Sequence, residues 1–200
     1  MSEKGNQAVK TVSFMMLITL FGKILGMVRE QLLAANYGTD MQAAAFLLAS
    51  RIPRTFFDVI FASAISASFI PVFVEYLQKK GRQEAFSLAN RFITMISTVT
   101  LLMMLLGMAF AKPLTLLIAP GYDVETVTLC VGLLRMLFPT MLFTAVAFSF
   151  VGILQSLEEF NVPAALSVVS NGVLILYYIF FNEKFGILGL TAAFLIGWAM

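Results

Sequence analysis

Apolar stretches close to twenty residues long recur from one end of this 200-residue chain to the other. That is the length at which a helix crosses roughly 30 Å of hydrocarbon. A lipid-facing surface then takes the place that a buried core holds in a soluble domain. Composition agrees: 60% of the residues are hydrophobic and only 12% are charged, with a mean hydropathy of +0.93. A soluble domain of this length needs far more charge to cover its surface. The chain therefore reads as an all-α, polytopic transmembrane helix bundle.

Six hydrophobic segments can be marked, at about 11–35, 42–77, 85–111, 124–154, 163–181 and 186–200, all in one lobe spanning 1–200. The second is too long for one straight crossing, and Pro53 and Pro71 are expected to bend it. Pro139 falls inside the fourth, and Pro163 opens the fifth. Between the third and fourth, Lys112-Pro113 and Ala119-Pro120-Gly121 bracket a short apolar stretch that reads as an interfacial half-turn. The sixth segment has about 15 residues, short of a full span, which reads as an incomplete helix.

The start of the chain imitates a secretion signal, with Lys4 and Lys10 ahead of an apolar run. Lys23, Arg29 and Glu30 then stand where a small-residue cleavage site belongs, so the segment reads as a retained helix. Lys79, Lys80, Arg82 and Arg91 return to the side of Lys4 and Lys10 after two crossings, which places the N-terminus in the cytoplasm. Glu158 and Glu159 dissent, but acidic residues weigh little in that rule.

Charge within the apolar segments carries the functional signal. Lys23, Arg29 and Glu30 lie in the first segment; Arg51, Arg54 and Asp58 lie in the second. A central Lys, Arg or Asp costs about 2.5–3.5 kcal/mol on insertion scales, whereas a Leu or Phe returns about 0.3–0.6. Six such groups in two helices imply a polar cavity. Lys23, Gly26 and Glu30 share one helix face, with Arg29 about 100° away, and Arg51, Arg54 and Asp58 repeat the i, i+3, i+7 pattern. The plainer alternatives are snorkelling at the interface and an Arg54–Asp58 pair that locks helices together. Arg135 reads as structural, and Lys79 to Arg82 as setting topology. Gly22 and Gly26 form G-x-x-x-G, and the small residues from Ala62 to Ser68 suit close helix approach.

Other chemistries lack their residues. The chain has no histidine and one cysteine, Cys130, which removes His-based acid–base chemistry, Cys/His metal sites and an internal disulfide. It has no phosphate-binding loop of the G-x-x-x-x-G-K-[ST] kind. No cofactor, metal or nucleic-acid partner is expected, and no enzymatic activity: Glu158-Glu159 is the sole carboxylate cluster suited to a membrane transferase, and it stands alone.

The wording from Gly22 to Glu30, Gly-Lys-Ile-Leu-Gly-Met-Val-Arg-Glu, resembles the first-helix signature of the MurJ (MviN) family of bacterial lipid II flippases. Ile52-Pro53, Phe69-Ile70-Pro71-Val72, Ala119-Pro120-Gly121, Leu133-Leu134-Arg135, Phe138-Pro139, Gly152-Ile153-Leu154-Gln155, Phe160-Asn161-Val162-Pro163-Ala164 and Ser170-Asn171 continue the resemblance in order. It implies the first lobe of a MOP/MATE-like transporter in the bacterial inner membrane. The implied activity is alternating-access transfer of undecaprenyl-pyrophosphate-linked disaccharide-pentapeptide between leaflets, with cavity cations gripping the pyrophosphate. Lys23 and Arg29 match basic positions of the family's first helix, and Glu30 its acidic one.

The chain departs from the family pattern in two places. Phe57 and Asp58 stand where many members carry an arginine pair, with Arg54 one turn earlier on the face of Phe57. Ala44 stands at a frequently acidic position, with Asp40 one turn before. Implied partners are lipid II or a related anionic polyprenyl-pyrophosphate lipid, the membrane, and a C-terminal lobe or cell-wall synthesis proteins. The competing expectations are a flippase of another polyprenyl-linked saccharide, a MATE-like exporter, and a non-transporting scaffold or truncated fragment. A cation exporter calls for an acidic cavity, whereas basic groups lead in both helices here.

Overall fold

The computed structural model describes the backbone of residues 2–200 and the side chains of residues 13–200. The side chains of Lys4 and Lys10, which bear on orientation, lie outside the described residues. The described chain is helical almost throughout: α1 (Ser2–Tyr37), α2 (Met41–Phe57), two π-helical turns (Asp58–Ala62 and Ile65–Phe69), α3 (Ile70–Lys79), α4 (Arg82–Ala109), α5 (Ala111–Ile118), α6 (Val124–Leu137), α7 (Pro139–Ser156), α8 (Asn161–Phe180) and α9 (Asn182–Ala199). Among the described residues, four continuous helical stretches are long and apolar enough to cross a membrane: Met41–Lys79, Arg82–Ala109, Val124–Ser156 and Asn161–Phe180. Many large side chains face outward, Leu17, Leu102, Leu117 and Phe180 among them, as a lipid-facing surface requires.

The 39 residues of Met41–Lys79 run as one helical rod, and the reason lies in side-chain spacing. Phe57, Phe61, Ile65, Phe69 and Phe73 recur every fourth residue, and all are buried. At 3.6 residues per turn, a four-residue spacing drifts by about 40° per step and would carry the stripe off the core within three steps. The two π turns, with i→i+5 hydrogen bonding, underwind the rod and hold the stripe against α4 and α7. There Phe69 stacks on Phe92 with centroids 4.2 Å apart, and Phe57 meets Phe148 at 5.3 Å. Both prolines of this segment lie within the continuous helical stretch. Pro71 sits in the first turn of α3, and Pro53 is accommodated inside α2. The small side chains are on the other side: Ser63, Ala64, Ser66, Ala67 and Ser68 are exposed, so in this chain they form an open face rather than a helix–helix seam.

Two more expectations shift. The fourth segment is two helices meeting at Phe138, because Pro139 has no N–H to donate and is placed in the first turn of α7. The bracketed stretch after α4 is a two-turn helix, α5, anchored by buried Ala111 and Thr115. Asp123 caps α6, accepting hydrogen bonds from the Thr126 hydroxyl and from the backbone N–H groups of Thr126 and Glu125. These bonds hold its carboxyl below the usual range. α9 turns at Gly186, whose φ of 54° is open to glycine.

α1 stands apart from its neighbour in sequence. It packs chiefly on α8 and touches α2 only slightly. A Cβ added at Gly22 would stand 2.2 Å from Ser167 Oγ, and one at Gly26 would stand 3.6 Å from Asn171 Nδ2. The G-x-x-x-G face therefore meets Ser167 and Asn171, spaced i, i+4 on α8, at backbone range. Asn171 Nδ2 donates to the Gly22 carbonyl at 3.3 Å and to the Ser167 carbonyl at 2.8 Å. At the other end of the seam, Asn182 donates to Asn36 at 2.9 Å and accepts from the Tyr37 hydroxyl at 2.5 Å. A Gly22→Leu variant should lower the thermal midpoint in detergent by several degrees, an overpacking cost of about 1–3 kcal/mol. Adding Ser167→Gly should recover part of the loss; an unchanged midpoint in Gly22→Leu would show that the seam is not close-packed.

Candidate anion-binding cavity

Because α1 leans on α8, space remains between α1, α2, α7, α8 and α9. It forms a cavity of about 460 Å³ whose wall includes Arg29 of α1, Arg54 of α2, Gln155 of α7, Asn171 of α8 and Trp198 of α9. Two arginines from separate helices thus share one chamber. Each has a carboxylate on its own helix. Arg29 Nη2 lies 3.2 Å from Glu30 Oε1, and Arg54 Nε lies 3.5 Å from Asp58 Oδ2. The Arg54 guanidinium also stands over the Trp198 ring, 5.8 Å from its centroid, within the range of a cation–π attraction. The Arg54–Asp58 pair is long for a charge-assisted hydrogen bond, and both side chains remain about half exposed. Such a partnership is easily exchanged, and both arginines keep donors for a further acceptor.

Of the six residues read from the sequence, Arg29 and Arg54 line this cavity and Glu30 and Asp58 pair with them. Arg51 faces elsewhere. It lines a separate, largely apolar groove of about 570 Å³ with Ile52, Thr55, Phe56, Val59 and Ile118, because three residues along a helix turn the side chain by about 60° from Arg54. Lys23 is exposed and is not part of the cavity wall. Arg135 is exposed on α6 and donates through Nε to the Met108 carbonyl at 3.2 Å, in keeping with a structural part. Sequence reasoning does not single out Gln155, Ser170, Asn171 or Trp198 as binding residues. The available signal is a polar residue inside an apolar helix, visible for Asn171 in α8; Trp198 requires the tertiary arrangement. Among the described residues no group of three or more His, Cys, Asp or Glu side chains is arranged to hold a metal ion.

An all-helical membrane bundle with a cationic, ion-paired chamber is the architecture of one lobe of a MOP-type transporter. Comparison with known proteins narrows it. The model of the lipid II flippase MurJ family matches residues 33–200, and the chain belongs to that family. The probable lipid II flippase MurJ of Buchnera aphidicola subsp. Acyrthosiphon pisum is 31% identical over 171 residues, covering 84% of this chain and 34% of that protein. The Rhizobium tropici counterpart is 31% identical over 186 residues, covering 91% and 34%. The lipid II flippase MurJ of Burkholderia cenocepacia is 26% identical over 155 residues, covering 76% and 30%. A solved structure, lipid II flippase MurJ in an inward closed conformation, superposes with a TM-score of 0.76 at 28% identity, covering 92% of this chain and 39% of that one. The chain spans about a third of the length of these relatives.

Water access to the chamber can be tested directly, since the chain's one cysteine, Cys130, is buried. A Ser170→Cys variant should react with a charged methanethiosulfonate reagent while the unaltered chain stays silent. Labelling no greater than that of the unaltered chain would mean that the chamber is dry.

Proposed function

We propose that this chain is the N-terminal lobe of a lipid II flippase of the bacterial inner membrane, with its N-terminus in the cytoplasm. In this reading it moves undecaprenyl-pyrophosphate-linked peptidoglycan precursor to the outer leaflet by alternating access, as a carrier and not an enzyme. The observation that carries the reading is the meeting of Arg29 and Arg54 in one chamber, within a chain of the MurJ family. A pyrophosphate carries about two negative charges, and guanidinium groups match its oxygens in a planar fork.

The neighbouring carboxylates give the cycle its logic. In the empty chamber Glu30 and Asp58 partly neutralise the arginines. A bound pyrophosphate takes those donors over, and its departure returns them to the carboxylates. The arginines are thereby kept from an unpaired state that low dielectric makes costly. With no P-loop in the sequence, the driving force is an ion gradient, the membrane potential or consumption of the product. Lys23 and Arg51 stand outside the chamber wall and have a secondary part in this proposal, Lys23 exposed on α1 and Arg51 in its own groove.

The test is binding of lipid II to the purified chain by native mass spectrometry, in competition with undecaprenyl phosphate and phosphatidylglycerol. Arg29→Ala and Arg54→Ala should each weaken selective lipid II binding tenfold or more, while Arg51→Ala changes it less than threefold. Equal, variant-insensitive binding of all the anionic lipids would overturn the reading. Asp58→Asn should tighten lipid II binding severalfold, because Arg54 then has no carboxylate to release. Weaker binding in that variant would contradict the exchange of partners.

A further inference from the structure

The chamber's wall is divided by hydrogen-bonding character. α1 and α2 present donors, the guanidinium groups of Arg29 and Arg54. α8 presents acceptors. The Ser167 hydroxyl turns back to the Ala164 carbonyl at 3.5 Å, and the Ser170 hydroxyl to the Ser167 carbonyl at 3.4 Å. Each directs its proton to its own helix and keeps lone pairs for the cavity that both residues line.

Asn171 completes this face and is the most constrained of the three. It is only 9% exposed, yet it stands on the chamber wall. Both hydrogens of its Nδ2 have an acceptor, the Gly22 carbonyl at 3.3 Å and the Ser167 carbonyl at 2.8 Å. A flipped amide would set its oxygen against those two carbonyls, so one orientation is fixed. In that orientation Oδ1 accepts no hydrogen bond from the described residues. Among those residues the side-chain atom that is both fully enclosed and unpaired is Asn161 Oδ1; the Asn171 oxygen is therefore open to the chamber. An acceptor held in place without a donor carries a cost that a ligand's N–H or O–H removes.

An ionised pyrophosphate offers acceptors only. It suits the arginines and gains nothing from α8. A ligand that satisfies both faces carries its anionic group next to a hydroxyl or an amide N–H, as a sugar joined to a pyrophosphate does. We propose that Asn171 is a specificity-determining residue of the chamber: its Oδ1 accepts a hydrogen bond from the sugar that follows the pyrophosphate. The proposal rests on the head-group reading at Arg29 and Arg54 and adds a division of labour to it. The arginines hold the charge, and Asn171 separates a glycosylated head from a bare one. The same amide ties α1 to α8, so the acceptor is placed by the contact that shapes the chamber.

Two variants withdraw the oxygen. Asn171→Leu removes the amide at similar size. Asn171→Thr keeps a hydroxyl able to bond back to the Ser167 carbonyl, as the Thr144 hydroxyl does to Thr140. Gly22→Ala is the seam control, since its Cβ would stand 2.2 Å from Ser167 Oγ while the amide is kept. Lipid II is compared on each purified chain with undecaprenyl pyrophosphate, which has the same tail and pyrophosphate without the sugars. The parent should prefer lipid II. Both Asn171 variants should lose about tenfold of that preference, with undecaprenyl pyrophosphate bound within twofold of the parent, and Gly22→Ala should keep the preference. Equal losses for the two ligands in the Asn171 variants would make Asn171 a seam residue only and overturn the proposal. An unchanged preference, or the same loss of preference in Gly22→Ala, would overturn it as well. Loss of preference in the Asn171 variants, with both ligands indifferent to Arg29→Ala and Arg54→Ala, would instead overturn the head-group reading and leave the sugar contact standing.

Discussion

The close seam between α1 and α8 sets the geometry on which the site depends. Gly22 and Gly26 remove the side chains that would hold the helices apart, and the Asn171 amide spans the seam to the Gly22 carbonyl. In lipid, helices gain little by burying apolar surface against one another, so close backbone approach and interhelical hydrogen bonds carry the association. A helix bound so firmly on one side is free to stand off on the other. The space between α1 and α2 is the consequence, and two arginines fill it with charge.

Those arginines are the second constraint. A guanidinium set among apolar helices needs water, a counter-charge or an aromatic face. Arg54 has Asp58 and Trp198, and Arg29 has Glu30. The counter-charges come from the same helices as the arginines, so each basic group brings its own partner and the two helices need not be locked to each other. Pairs of this kind differ from a buried salt bridge that ties two helices of a bundle together.

Much of this is legible in the chain. Twenty-residue apolar runs mark the helices, and the insertion cost of charge singles out Lys23, Arg29, Glu30, Arg51, Arg54 and Asp58 without any tertiary information, although Lys23 and Arg51 lie outside the chamber wall. Arg51 and Arg54 are indistinguishable at that level, since a 60° difference on a helix has no meaning until the neighbours are placed. The π turns are present as a four-residue spacing from Phe57 to Phe73, but the adjacent run of small residues gives the stronger signal and points to packing that this chain does not make. Pro139 reads as a bend within one helix, whereas a proline fits the first turn of a new helix better than the interior of an old one. Trp198 and Gln155 carry no local mark, because their part in the chamber comes from the convergence of helices distant in sequence.

In the proposed function Arg29 and Arg54 grip one ligand group together. A double-mutant cycle reads that most directly, with lipid II affinity measured for the parent, Arg29→Ala, Arg54→Ala and the double variant. Residues that share a partner show coupling of about 0.5–3 kcal/mol, so the double variant should lose clearly less than the sum of the two single losses. Strict additivity, or affinity unchanged throughout the cycle, would contradict a shared grip and leave the arginines as independent or purely structural charges.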